Sequence, residues 1–446
     1  MPSKNYSLPT KIEIQKHSIT SLSQYWVDKE YLIEELPIKR IMINIESGTP
    51  LKLESISLPA WAMHHGIDEC ILVPSECVPR NYQGDKNNLW KEIDWFLAIF
   101  LLIECWHERL WENKFGPIHS YSFRLKGWDE RAWERAWVNR IGLFLREWAA
   151  FKISESSEHL FGKKDKAEIK MTHDVDAIKK TWAIRFKQAV FILFNAFRAL
   201  LNGNFLTAAR KIKKSLIFLF TNENWMVFNK LLAYEKDVNV KSTFHFYGDL
   251  QKKNLKKMLI DPGYRINSNV LKNVISDVLS DNHEIGLHPG FESWNNIKDL
   301  KRQKRALEDA SGRAIVNVRQ HWLRFSWNST WACQEAVGLK LDSTLMFNDR
   351  PGFRNSCSLV WHPWNVNKNQ THKIQAISSI LMDSHIHDYL ELEDNERENI
   401  MSYWIKECRI VSGKAAVLWH PHTLTKDYGW SDSFLKLLGL INRRSE

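Results

Sequence analysis

Four short polar clusters end apolar, strand-like runs in the last two-thirds of the chain: Thr172-His173-Asp174-Val175-Asp176, His283-Glu284-Ile285-Gly286-Leu287-His288, Arg319-Gln320-His321 and Leu418-Trp419-His420-Pro421-His422. Acid, base and metal-binding groups delivered from successive strand ends are how a barrel assembles one active site from distant sequence. Asp174 and Asp176 lie two positions apart, so on a persisting strand they share a face while Val175 points the other way. Two carboxylates held that close resist ionising together unless a cation or a shared proton relieves them. A natural division of labour is one metal ligand and one general base. The structural alternative is an N-cap pair opening a helix at Ala177.

His288 follows its strand just before Pro289-Gly290, so the imidazole leaves the sheet where a loop begins, and Glu292 comes four residues later. Both can reach one divalent ion, and a His, Asp and Glu set suits zinc or another first-row metal with an open position. His283, at the start of the same strand, reads as structural. Arg319 is a strand-end cation able to hold a carboxylate in place and lower its pKa, or to serve as a structural salt bridge. His420 ends the run Ala415 to Leu418, poised to protonate a leaving group near neutral pH. Alone it would carry little; as the fourth ionisable strand end in one series it reads as functional.

These groups need a scaffold, and the pattern supplies one. Strand-like runs at Glu168–Met171, Val240–Tyr247, Glu284–Leu287, Ile315–Val318, Leu339–Leu345, Ile374–Met382 and Ala415–Trp419 alternate with helical stretches near 268–279, 296–310, 329–337 and 395–411. Such alternation implies a largely parallel sheet. Ligand groups arriving from nearly every strand favour a distorted (β/α) barrel of about seven strands over an open sheet with one switch point. This barrel is expected over residues 166–446. A smaller α+β N-terminal domain of residues 1–160 precedes it, crowded with tryptophans whose spacing suits core packing better than a sugar-stacking platform. The polar stretch Ser154 to Glu158 and the charged run Lys163 to Lys166 read as the linker.

Composition excludes several classes. With 44% hydrophobic and 26% charged residues the chain is globular rather than disordered. The N-terminus lacks a basic region followed by an apolar core, and the run Trp95 to Ile103 is too short to span a bilayer, so a cytoplasmic protein is expected. The six cysteines show no close pairing and read as reduced and structural. A net charge of +10 is spread along the chain without any DNA- or RNA-binding motif, so no nucleic-acid partner is expected. One segment, Phe205 to Phe220, mixes Arg210, Lys211, Lys213 and Lys214 with large apolar residues. Its basic amphipathic character suits peripheral contact with an anionic membrane, although packing against its own domain is the stronger expectation.

Taken in order, these clusters resemble the polysaccharide deacetylase superfamily, the NodB-homology carbohydrate esterases, and in particular a branch with a Trp-rich N-terminal domain. The resemblance covers roughly residues 166 to 425 and rests on the strings T-H-D-V-D, E-I-G-L-H-P, R-Q-H, G-F-R and W-H. It implies Asp174 as catalytic base, Arg319 as the group that orients it, and His420 as general acid. Asp342 stands where the family carries an acidic group near that histidine. Val175 occupies the position of a metal-binding Asp, which passes that role to Asp176; His288 fits the first of two metal-binding histidines, and Glu292 takes the place of the second. The implied reaction is metal-dependent hydrolysis of an N-acetyl group from an amino-sugar glycan or its precursor. Two other readings remain: a metal-dependent glycosyltransferase using the Asp174/Asp176 pair, and an inactive carbohydrate-binding relative, which the residues at 175 and 292 keep open.

Overall fold

The computed structural model describes residues 7–443 apart from 40, 42, 64, 65, 202 and 391. Two strands, β1 (Leu53–Ser57) and β2 (Cys70–Pro74), form an antiparallel pair in the N-terminal segment. The main sheet draws on β3 (Glu168–Val175), β4 (Ser242–Phe246), β5 (Glu284–Leu287), β6 (Asn317–Val318), β7 (Leu341–Asp342) and β8 (Val360–Trp361). A short pair, β9 (Trp364–Asn365) and β10 (Gln370–Thr371), follows, and β11 (Gln375–Ile377), β12 (Ser379–Met382) and β13 (Lys414–Leu418) complete the sheet. Its nine strands run in the order β12–β13–β3–β4–β5–β6–β7–β11–β8, parallel throughout except for β11 against β8. The inner strands are buried on both faces, as parallel sheets flanked by helices must be.

The sheet has nine strands rather than about seven, for two reasons. Val360–Trp361 adds an antiparallel edge strand, and the apolar run 374–382 divides at Ser378. Its first part pairs with β7 and its second with β13, so one stretch of chain carries both flanks of the curled sheet. At the division the Ser378 carbonyl accepts a hydrogen bond from the Ala416 amide at 2.9 Å, and the Ser379 amide donates to Leu345 across the fold at 3.2 Å.

Between strands the helices start and stop where their residues dictate. Asn296 caps the helix Ile297–Ser311 by accepting from the Asp299 amide at 3.1 Å, and Gly312 ends it with φ of 65°. Leu300, Gln303 and Leu307 face inward from it. The tryptophans of the N-terminal segment are mostly buried, and helix Trp95–Ile103 is buried on every side. This segment and the sheet region contribute to one hydrophobic cluster. Buried ion pairs also join them, Arg140 to Glu407 at 2.8 Å and Arg354 to Glu108.

After β3 two helices, Trp182–Leu201 and Phe205–Phe220, turn back on each other at Gly203, whose φ of 75° suits a residue without a side chain. Small residues line their seam, and the Ser215 hydroxyl donates to the Ala189 carbonyl at 3.1 Å. Arg185 ties the base of this hairpin to the carbonyls of Leu219 and Thr221, each at 2.7 Å. Among the described residues no helix is long and apolar enough to cross a membrane.

Candidate metal centre and active site

The parallel register aligns the strand ends. Asp174 on β3 lies opposite His245 on β4, His245 opposite Gly286 on β5, and Val318, just before Arg319, opposite Asp342 on β7. Asp174, Asp176, His288, His321 and His420 thereby meet at the floor of one cleft of about 710 Å³.

Three donors converge there. The Nε2 atoms of His288 and His321 stand 3.3 and 3.6 Å from Oδ1 of Asp176, an oxygen that is buried without a hydrogen-bond donor. Suitable ligand atoms of Asp176, His288 and His321 all lie within 4.8 Å of one another. Each imidazole is fixed from behind. His288 Nδ1–H donates to the Arg319 carbonyl at 2.7 Å, and His321 Nδ1–H donates to the Asp261 carboxylate at 3.3 Å. Such bonds select the tautomer whose Nε2 lone pair is free, the usual backing of a metal-bound histidine. The donor set therefore fits a divalent first-row metal with open positions for water and substrate. Burial alone would raise the Asp176 pKa, but the surrounding imidazoles His288, His321 and His420 hold it well below the usual carboxylate range.

Asp174 stands on the other side of His288. Arg319, fully buried, places Nη1 3.4 Å from Asp174 Oδ1 and 2.6 Å from the Thr172 hydroxyl, while Nε and Nη2 donate to the Ser343 carbonyl and the Ser379 hydroxyl. One guanidinium thus joins the β3, β7 and β12 sides of the barrel-like interior beneath the Asp174 carboxylate. His245 Nδ1 lies 3.4 Å from the same carboxylate. Burial would raise the Asp174 pKa; the neighbouring His288 imidazole and Arg319 guanidinium outweigh it and hold the group ionised, far below the usual range. Gly286 makes room for His245: a Cβ there would meet His245 Cδ2 at 2.4 Å.

On the far side of Asp176, His420 Nδ1–H donates to Asp383 at 2.8 Å, and Nε2 faces Asp176 Oδ2 at 3.6 Å. Burial would lower this imidazole's pKa, but Asp383 overrides it and pushes the value up to about 10. Asp383 is itself fully buried, just beyond β12, and also accepts from the His420 amide and the Thr423 hydroxyl. The pair thus couples a protonated imidazole to a buried carboxylate that fixes its ring.

The structure brings together Asp174, Asp176, His288, Arg319 and His420. It places two other sequence candidates elsewhere. Glu292 is at the surface, paired with Lys256 and 3.9 Å from Arg324, because the loop after His288 carries it away from Asp176 toward the helix Leu255–Ile260 that bears Lys256. His321 stands by Asp176 instead, carried on a turn where Trp322 and Leu323 adopt φ of 57° and 49°. Asp342 is buried with its oxygens taken by Trp331 Nε1 at 2.9 Å, Gln334 Nε2 at 3.0 Å and the Thr344 hydroxyl. It braces Thr344, which in turn receives the Gln320 amide at 3.0 Å beside Arg319 and His321. The acidic partner of His420 is Asp383, and its signal in the sequence is its place directly after the apolar run ending at Met382. His283 accepts from the Ser242 amide at 3.0 Å and is structural.

No known sequence family matches the chain, and no curated protein does. Among solved structures it is similar to a putative polysaccharide deacetylase from Mycobacterium smegmatis, with 17% identity, a TM-score of 0.38, and coverage of 64% of this chain and 86% of that one. It is also similar to the polysaccharide deacetylase Bc1974 of Bacillus cereus, with 11% identity, a TM-score of 0.28, and coverage of 61% and 88%. A third is a CE4 family pseudoenzyme from Bacillus anthracis, at 11% identity and a TM-score of 0.28 over 62% of this chain and 60% of that one. These likenesses are distant and concern the course of the chain; the chemistry rests on the side chains themselves.

Proposed function

We propose that this chain is a metal-dependent deacetylase that hydrolyses N-acetyl groups of an amino-sugar glycan or glycan precursor. The observation that carries the reading is the convergence of Asp176 with two imidazoles whose Nδ1 atoms are already bonded, flanked by Asp174 on one side and the Asp383–His420 pair on the other. Asp176, His288 and His321 would hold a divalent metal such as zinc. When bound, the ion supplies a positive centre that polarises the amide carbonyl and favours ionisation of water.

The chain's own groups divide the proton transfers. Asp174, kept ionised and aimed by Arg319, accepts the proton of the attacking water. His420, charged through Asp383, gives its Nε2 proton to the amine nitrogen as the carbon–nitrogen bond breaks. The acetyl group leaves as acetate and the sugar keeps a free amine. A glycosyltransferase built on the acidic pair would need both carboxylates open to one metal, whereas Asp174 is engaged by Arg319 and His245. The inactive-relative reading rested on the residues at 175 and 292, and Asp176 and His321 supply donors in their stead.

Metal content by elemental analysis, followed by acetate release from N-acetylglucosamine oligomers, tests the proposal. About one equivalent of metal is expected in the wild type, lost in Asp176→Ala and His288→Ala. Acetate release is expected to vanish in Asp174→Asn with the metal still bound. A protein that takes up no metal after reconstitution would refute the reading.

A further inference from the structure

The mouth of the cleft is apolar and open to solvent. The helices Trp182–Leu201 and Phe205–Phe220 turn large hydrophobic side chains outward along their length: Trp182, Phe186, Phe205, Leu206 and Phe220 are 73%, 69%, 71%, 77% and 71% exposed. A soluble surface rarely carries such a continuous patch without a partner. The patch runs into the cleft. Val190 and Phe194 are both exposed and part of its wall, and across the opening Met258 and Leu259 of the helix Leu255–Ile260 do the same.

Charge names the partner. Between Asp176 and Glu223 the chain holds nine Lys and Arg and no Asp or Glu. Arg210 and Lys213 are exposed on the second helix beside its apolar residues. An amphipathic surface with only positive charge fits the headgroup region of an anionic bilayer, where cations meet lipid phosphates and apolar side chains enter the acyl boundary. A second copy of the chain would instead set two cationic, carboxylate-free faces against each other.

We propose that the hairpin Trp182–Phe220 docks in the interface of an anionic membrane, and that the cleft receives the sugar head of a lipid-anchored N-acetylated amino sugar while its apolar lips cover the start of the lipid tail. The identity of the head rests on the deacetylase reading; the docking does not. The lining divides accordingly, with the buried Asp174, His288 and His321 at the floor and the exposed Phe194, Met258 and Leu259 at the opening.

Flotation with phosphatidylcholine vesicles, with and without phosphatidylglycerol, tests the docking in the full chain. The wild type is expected to float with the anionic vesicles. Phe186→Ser/Leu206→Ser and Arg210→Glu/Lys213→Glu should each bind about tenfold less or weaker still. None of these residues lines the cleft, so both variants should keep wild-type metal content, circular dichroism and acetate release from soluble N-acetylglucosamine oligomers. On an alkyl-anchored N-acetylglucosaminide in anionic vesicles, the wild type should outpace both. Failure of the wild type to bind anionic vesicles would overturn the docking, as would a dimer that the serine variant abolishes without any vesicle binding. Vesicle binding with no acetate release from either substrate would overturn the sugar assignment and uphold the docking.

Discussion

Replacing Asp383 by Asn removes the charge that keeps His420 protonated. Burial by itself lowers an imidazole's pKa, yet His420 is pushed up to about 10, and Asp383 leads the groups that raise it, ahead of Asp176 and Asp174. Against an ordinary value of about 6.5 the difference is 10 − 6.5, roughly 3.5 pH units, equivalent to about 5 kcal/mol in favour of the charged ring. Asn keeps the shape and an oxygen to accept the Nδ1–H, so the ring stays placed while its charge is no longer supported. A cation on Asp176 offsets that carboxylate's contribution further. With burial still acting, the variant's imidazole should titrate at about 6.5 or below. A general acid works only while protonated, so on this limb the variant's kcat should decline through about 6.5, whereas the wild type's, with Asp383 still charged, should hold to a distinctly higher pH. At pH 8 a group of that pKa is about 3% protonated, a loss of about 30-fold from its own acidic plateau. Acetate release under saturating substrate, measured between about pH 5 and 10 with metal content monitored, reads the two limbs directly. Coincident limbs would refute the assignment of His420 as the acid governed by Asp383.

His321→Ala should lose bound metal, whereas Glu292→Ala should retain it; the opposite pattern in elemental analysis would return the ligand role to Glu292. Asp261→Asn, which loosens the support behind His321, should weaken metal affinity by about 10- to 100-fold in competition with a chelator, and an unchanged affinity would show that this support is dispensable. Gly286→Ala drives a methyl group into His245, which is packed against Asp174, and should cost about 1–3 kcal/mol, visible as a lower Tm by calorimetry. Arg319→Met leaves Asp174 buried without its cation and should cost about 3–5 kcal/mol in urea unfolding. The wild type's share of that stability has a defined sign with pH: the folded pKa of Asp174 lies below the ordinary value of about 3.9, so the contribution is present above that pH and fades as pH falls below it. A difference between the two proteins that stays constant down to about pH 2 would count against the pairing.

Much of the site was legible because strand ends and polar clusters coincide in the chain. The run into Asp174, the Glu284–Leu287 strand before His288 and the Ala415–Leu418 strand before His420 each carry their chemistry directly after a short apolar pattern. What escaped depends on contacts between distant segments. Glu292 takes the place of the second histidine of the resembled motif, and its neighbourhood in sequence does not reveal that the loop after Pro289-Gly290 carries it out to Lys256. His321 sits two residues beyond Arg319, and only the left-handed turn at Trp322 and Leu323 makes its approach to Asp176 intelligible. Asp342 is acidic and at a strand end, like Asp174, yet Trp331, Gln334 and Thr344 occupy its oxygens. Asp383 lay hidden because the run 374–382 reads as one strand, whereas its two parts pair with opposite flanks of the sheet and the second alone brings Asp383 to His420.

That divided run also sets an order of assembly. During synthesis β3 can pair with β4 early, but its other neighbour, β13, begins only at Lys414, and β12 must wait for β13 in turn. Long-range pairings of this kind are slow to form because the chain between them loses freedom before the contacts repay it. Asp174, His288 and Arg319 are in the nascent chain well before Asp383 and His420, so the Asp174 side of the cleft can exist without the Asp383–His420 pair. The last strands to join deliver Asp383 and His420, so under the proposed deacetylase reading hydrolytic competence would arrive with completion of the sheet rather than piecemeal as the polypeptide emerges.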